Sequence, residues 1–282
     1  MKNRIFKTLL ITFLTVGLYQ QSFAGFPIGA GRWLLVPTYT KYTATSYWDA
    51  SGILTNYVDK GSFHSNYFGL YGGVGIDRDL DLLFNIPYVS NEYKDNGAAS
   101  EGPLQTTGDV VIGLSYFLNH FDYYKHLSLT GSLIIPTYPF IDNTTLLPGF
   151  ASVGAEVKLG LAGTNTKRLK DTYYDLEAGI RSYFNAGGPT QFFTNATFGA
   201  PLDEDWKISG TINGVWSSGS SSTTAKAFTQ YVNKDFNYVR GSIALGRRLD
   251  RNITLWVSAF KDLTGTSIGQ GQGFSTFAVI KF

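Results

Sequence analysis

No cysteine occurs anywhere in the 282 residues, which excludes a disulfide framework, thiol chemistry and a lipidated N-terminal cysteine. Histidine is nearly as scarce. None of His64, His120 and His126 stands in a close cluster of ligand-type residues, so a metal site lacks its donor set and no cofactor is expected. Long apolar runs are missing as well. The segment from Leu9 to Leu18 is interrupted by Thr12 and Thr15 and falls short of the roughly 20 apolar residues that a spanning helix needs.

That short run follows Lys2, Arg4 and Lys7 and precedes Ser22-Phe23-Ala24, the arrangement of a secretory signal over residues 1–24, cut after Ala24. Removing those three cations from the 23 Lys and Arg leaves 20 against 21 Asp and Glu. A chain so close to neutral has no electrostatic footing for nucleic acid. With no helical span on offer, a membrane role must come from strands, because only helices and closed barrels satisfy every backbone polar group in lipid.

Aromatics and glycine are abundant: 21 Phe, 18 Tyr, 5 Trp and 32 Gly, with a mean hydropathy near zero. Aromatic girdles and strands that are apolar on one face only produce this mixture. The last nine residues, Phe274 to Phe282, alternate with period two and stop on an aromatic. Phe274, Ala278, Ile280 and Phe282 then face lipid, with Ser275 and Lys281 on the lumen side. Such an ending also reads as an assembly signal for the barrel assembly machinery, carried by Phe282.

Alternating runs between turn formers predict about twelve antiparallel strands in an all-β, up-and-down transmembrane barrel. They fall near 31–47, 63–76, 80–93, 108–118, 127–137, 150–163, 172–185, 191–201, 206–217, 236–248, 253–262 and 273–282. In the fourth, Val110, Ile112, Leu114, Tyr116 and Leu118 share one face, opposite Asp109, Gly113 and Ser115. Tight links at Asp77-Arg78-Asp79, Asp203-Glu204-Asp205 and Asp250-Arg251-Asn252 alternate with longer Gly-, Ser- and Asn-rich segments near 49–62, 94–107, 138–149, 217–235 and 263–272. Short turns against long loops place both termini on the periplasmic side. The link at Gly187-Gly188-Pro189 is short for an external loop, so ten or fourteen strands also fit. No linker divides residues 25–282, which read as a single barrel domain.

The stretch from Gly75 to Val89, with its charged turn and Pro87-Tyr88 pair, precedes Gly108-Asp109-Val110-Val111-Ile112-Gly113-Leu114-Ser115-Tyr116. Over about forty residues this resembles the outer-membrane barrel family named for the meta pathway of phenol degradation. The resemblance implies an outer-membrane channel or transporter associated with aromatic or other hydrophobic compounds. Its motifs are turn and strand features and carry no catalytic residues.

Phasing the strands by their apolar faces sends Asp81, Asn85, Asp109, Glu156, Lys158, Asp175, Glu177, Arg181, Asn195, Lys207, Asn213, Arg240 and Lys281 to the lumen, together with the aromatics Tyr67, Tyr71, Phe117, Tyr183, Phe193, Trp256 and Phe260. Charged groups inside such a structure either line a polar path or pair with one another as filling. Both signs are present, which argues against strong ion selectivity. A catalytic reading fails on geometry: His64 and Ser65 are neighbours in a strand and point to opposite faces. His120 and His126 flank a turn beside Phe121, Tyr123 and Tyr124, the setting of interfacial anchors. The Ser-rich 217–235 segment reads as a surface loop. About six residues separate the cleavage site from the first strand, too few for an N-terminal plug of the kind found in long-chain fatty acid transporters. The expectation is therefore passive uptake of small, hydrophobic or aromatic solutes through an outer-membrane channel in contact with lipid. A filled barrel with a structural or surface-interaction role is the alternative.

Overall fold

The computed structural model describes residues 25–96, 101–122, 124–138, 146–165, 171–184, 188–219 and 234–282. Residues 1–24, read above as the signal, lie outside them, as do most of the Ser-rich loop and part of 138–149.

The chain forms β1 (Trp33–Trp48), β2 (Leu54–Asn56), β3 (Ser62–Gly75), β4 (Leu80–Lys94), β5 (Glu101–Thr107), β6 (Asp109–Asp122), β7 (Lys125–Pro136), β8 (Gly154–Asn165), β9 (Thr172–Tyr183), β10 (Thr190–Pro201), β11 (Trp206–Ser218), β12 (Phe236–Arg248), β13 (Ile253–Thr266) and β14 (Ile268–Lys281). Each wall strand pairs antiparallel with the next, and β14 returns to β1, so the sheet closes into a twelve-stranded barrel. β2 is a short addition on β1, and β5 continues β6 across Gly108 along the upper part of β4. Closure pairs each of the twelve wall strands on both sides, as lipid requires.

The tight turns share one chemistry. Asp77 Oδ1 accepts from the Asp79 amide at 2.7 Å, Asp203 Oδ1 from the Asp205 and Trp206 amides at 2.8 and 2.7 Å, and Asp250 Oδ1 from the Asn252 and Ile253 amides at 2.6 and 2.8 Å. An aspartate that caps its own turn in this way fixes a sharp reversal with no further residues. These turns gather at one end of the barrel, the turn end, where β1 begins and β14 finishes. Trp33 and Phe282 exchange backbone hydrogen bonds there.

The outer face is an apolar belt, with Phe68, Leu70, Ile86, Ile112, Leu114, Leu133, Val157, Ile180, Phe198, Ile212 and Val257 all exposed. Between β1 and β14 the ladder pauses at Val36 and Pro37, where proline has no N–H to donate. Outside this pause a groove of about 740 Å³ is lined by Pro37, Tyr39, Phe68, Leu70, Leu255 and Val257 among others.

Three expectations need correction. The stretch 263–272 is no long loop: β13 runs to Thr266, β14 starts at Ile268, and Ser267 alone makes the reversal at φ 54°. The 94–107 and 49–62 segments contain β5 and β2. The third concerns the N-terminal segment. Residues 25–32 cross the turn end of the barrel from β1 to the opposite wall, touching Asp81, His126, Ala162 and Asp175. Eight extended residues reach up to about 26 Å, so a leader this short is long enough to bridge the interior.

Candidate functional site

Alternation along each strand sets one face outward and the other into the barrel. Asp81 and Asn85 are on the inner face of β4, in register with Gly75 and Tyr71 of β3. Asp109 is on β6, Glu156 and Lys158 on β8, Asp175, Glu177 and Arg181 on β9, Asn195 on β10, Lys207 and Asn213 on β11, Arg240 on β12, and Trp256 on β13. Of these, Asp81, Glu156, Asp175, Glu177, Asn195, Asn213, Arg240 and Trp256 are buried. Lys281 is exposed at the turn-end rim, where Lys207 and Arg32 both repel its charge.

The charged residues of β8 and β9 form a cross-strand ladder. Glu156 lies directly opposite Arg181, whose Nε donates to Glu156 Oε2 at 2.9 Å. Lys158 Nζ donates to Glu177 Oε1 at 2.7 Å. The Arg181 guanidinium also lies 5.4 Å from the centre of the Phe193 ring, a favourable stacking arrangement.

A second pair sits toward the loop end. Arg240 Nη2 donates to Asp262 Oδ2 at 2.9 Å, and its Nε donates to Oδ1. The two side chains are only 5% and 1% exposed. Tyr42, Tyr238 and Phe260 each present a ring centre 5.3 Å from the guanidinium. Asp262 also accepts from the Gly271 amide at 2.9 Å. The sequence reading missed Asp262 because it ended that strand at residue 262 and extended no inward phase to its last position.

Apolar groups gather at both ends. Tyr42, Ala44, Tyr57, Phe63, Tyr93, Leu146 and Phe260 form a cluster at the loop end, to which the loops themselves contribute Tyr57 and Leu146. Asn91 Nδ2 holds the latter by donating to the Leu146 carbonyl at 2.8 Å. Burial in this cluster pushes the Tyr57 phenol above its ordinary pKa. At the turn end Leu34, Val36, Ala244, Trp256, Phe277 and Val279 form another, joined by Tyr71 and by Ile28 of the N-terminal segment. Trp256 and Phe277 stack with ring centres 5.9 Å apart. Elsewhere the inner wall is rich in hydroxyls, with Ser115 and Thr130 in contact at 3.0 Å and Thr197 and Thr211 at 2.9 Å.

Several inner-face atoms have no hydrogen-bond partner among the described residues: Tyr71 Oη, Asp81 Oδ1, Asn91 Oδ1, Asp109 Oδ1, both Asp175 oxygens, both Asn195 amide atoms and Asn213 Oδ1. Buried polar atoms normally find a partner, so these mark enclosed polar spots on the inner wall that the neighbouring side chains leave unsatisfied.

The histidines make local contacts. His64 Nδ1 lies 3.3 Å from Thr43 Oγ1 and its Nε2 lies 3.0 Å from Ser62 Oγ. Its neighbour Ser65 is on the buried face. His120 bridges Asp79 Oδ1 at 2.8 Å and His126 Nδ1 at 2.7 Å beside the β6–β7 turn.

No protein-family model and no curated protein matches the sequence. Solved structures do match. The COG4313 outer membrane channel from Pseudomonas putida F1 is 14% identical with a TM-score of 0.70, over 94% of this chain and all of that one. The NanC porin is 7% identical with a TM-score of 0.53, over 88% of this chain and all of that one. The beta domain of the Bordetella autotransporter BrkA is 13% identical with a TM-score of 0.51, over 89% of this chain and all of that one. These likenesses establish the fold as that of outer-membrane β-barrels.

Proposed function

We propose that the chain is a passive outer-membrane channel for small solutes, hydrophobic and aromatic ones among them, and a member of the barrel family named for the phenol meta pathway. The observation that carries this reading is the charged and hydroxyl-lined inner wall of a closed barrel, with Glu156–Arg181 and Lys158–Glu177 beside the Ser115–Thr130 and Thr197–Thr211 pairs. A barrel that had only to fill its interior would gain as much or more from apolar packing than from paired charges taken out of water. The likeness to an outer membrane channel and a porin supports the same reading.

The solute class follows from the two apolar clusters. A permeant must pass Tyr42, Phe63 and Phe260 at the loop end and Trp256 and Phe277 at the turn end, which favours small or aromatic bodies over large hydrated ones. The mixed-sign ladder between them gives weak ion preference. In this reading the turn end is periplasmic, the loop end external, the belt sits in lipid, and the barrel assembly machinery recognises the last strand through Phe282.

The alternative, a filled structural barrel, draws on the tight Arg240–Asp262 and Glu156–Arg181 pairs. Liposome swelling separates the two. Proteoliposomes in isosmotic glycine or benzoate should swell faster than protein-free vesicles, with little difference for a trisaccharide. Equal swelling in every solute would favour the filled barrel.

A further inference from the structure

Asp175 is a deeply buried charge of the inner wall. It is 1% exposed, and neither oxygen has a regular hydrogen bond. Among the described residues the carboxylates Asp81, Asp175 and Glu177 around Tyr71 are set against one cation, Lys158, and that cation already donates to Glu177. Lys158 acts on Asp175 only from a distance, and a buried carboxylate without a direct ion pair is strongly unfavourable.

Gly25 fills the space beside it. A side chain on this residue would collide with Ala162 and lie 2.6 Å from Asp175 Oδ1, so only glycine brings its backbone so close. The Gly25 backbone amide is close enough to the carboxylate to favour its charged form. The rest of the segment fixes that placement. Phe26 packs edge-on against His126 at 6.1 Å, the Ile28 amide donates to Asp81 Oδ2 at 3.0 Å, and the Gly31 amide donates to the Gly75 carbonyl at 2.8 Å. Gly75 in turn leaves no room for a Cβ against the Gly29 backbone.

We propose that signal processing manufactures the missing counter-ion: cleavage after Ala24 makes Gly25 the first residue, and its new α-ammonium pairs with Asp175 to latch residues 25–32 across the barrel. The step adds one water across the Ala24–Gly25 peptide bond under a signal peptidase, leaving the carboxylate on Ala24 and a protonated amine on Gly25. Before cleavage the same nitrogen is a neutral amide with one N–H. Afterwards it carries a full charge at neutral pH and three donors, in a site whose walls exclude most screening. The latch therefore forms only in the processed protein, and it uses this chain's own terminus as the ligand of a buried site.

The test uses the mature protein purified from outer membranes. Intact mass should place the first residue at Gly25. A pulse of amine-reactive acetylating reagent at pH 7, read on the N-terminal peptide by mass spectrometry, should label Gly25 about tenfold or more slowly than in Asp175→Asn, as expected for a tenfold smaller share of free amine. A refolded wild-type chain carrying Ala-Ser ahead of Gly25 displaces the amine from the slot and should label at the fast rate, which keeps the test alive if the variant does not fold. Equal rates in all three proteins overturn the proposal. So does a slow Asp175→Asn beside a fast extended chain, which would assign the protection to burial alone, or a mature chain that starts elsewhere. None of these readouts involves conduction, so the outcome is separate from that of the channel reading.

Discussion

Arg181 and Glu156 face each other across β8 and β9 with both Nε and Nη2 of the arginine donating to one carboxylate oxygen, at 2.9 and 2.5 Å. Replacing Arg181 by Ala removes the cation and leaves Glu156, whose side chain is 9% exposed, without it. The arginine side chain is 34% exposed, so solvent offsets part of the loss, and the expected cost is about 1–3 kcal/mol. The reversal potential under a salt gradient should move toward cation preference, with a moderate fall in the temperature at which the barrel unfolds on gels. An unchanged reversal potential in a conducting variant would place Arg181 off the ion path.

The Arg240–Asp262 pair is more deeply enclosed, so Arg240→Ala should destabilise more than Arg181→Ala, by about 3–5 kcal/mol. Arg240→Lys should restore only part of it, because an ammonium matches neither the two-oxygen geometry nor the flat contact with Tyr42, Tyr238 and Phe260. Denaturant titration in detergent checks the order. Full rescue by lysine would mean that charge alone matters at this position.

Deletion of Phe282 removes the residue whose backbone closes β14 onto β1 at Trp33 and the aromatic that ends the last strand. Folded barrel recovered from the outer membrane should fall sharply, while deletion of Ser220-Ser221 should leave yield near wild type. Similar yields from both would remove the assembly role of the terminus.

Much of the wall is legible in the sequence, because a strand with one face in lipid must alternate and a turn with no spare residues must cap itself. Val110 to Leu118 and the three Asp-led turns show both rules directly. The interior is harder to read. Leu146 and Tyr57 enter the barrel from loops whose sequences show no period, and Gly25 meets Asp175 across 150 positions of chain with no local signal. Asp262 and the ends of β13 and β14 escaped because glycine and polar residues blur alternation where strands extend past the apolar belt. The glycines at 25, 29 and 31 were the available clue: Gly25 has no room for a side chain beside Ala162 and Asp175, and Gly29 and Gly31 take φ of 91° and 71°.

Orientation follows from the two kinds of connection. An epitope inserted at Gly219 should bind antibody on intact cells, and one at Glu204, in the Asp203 turn, should require permeabilised cells. Labelling in the opposite sense would invert the periplasmic assignment of the turn end and of the N-terminal segment.

In the proposed channel water and small solutes pass along the inner wall, and single-channel recording in a planar bilayer tests this most directly. Purified, folded protein should give discrete conductance steps of weak ion selectivity, and a small aromatic acid added to one side should interrupt them as it transits the aromatic clusters. Protein that inserts in folded form, yet gives no steps above the bare bilayer with or without the aromatic solute, would contradict the channel and leave the filled barrel.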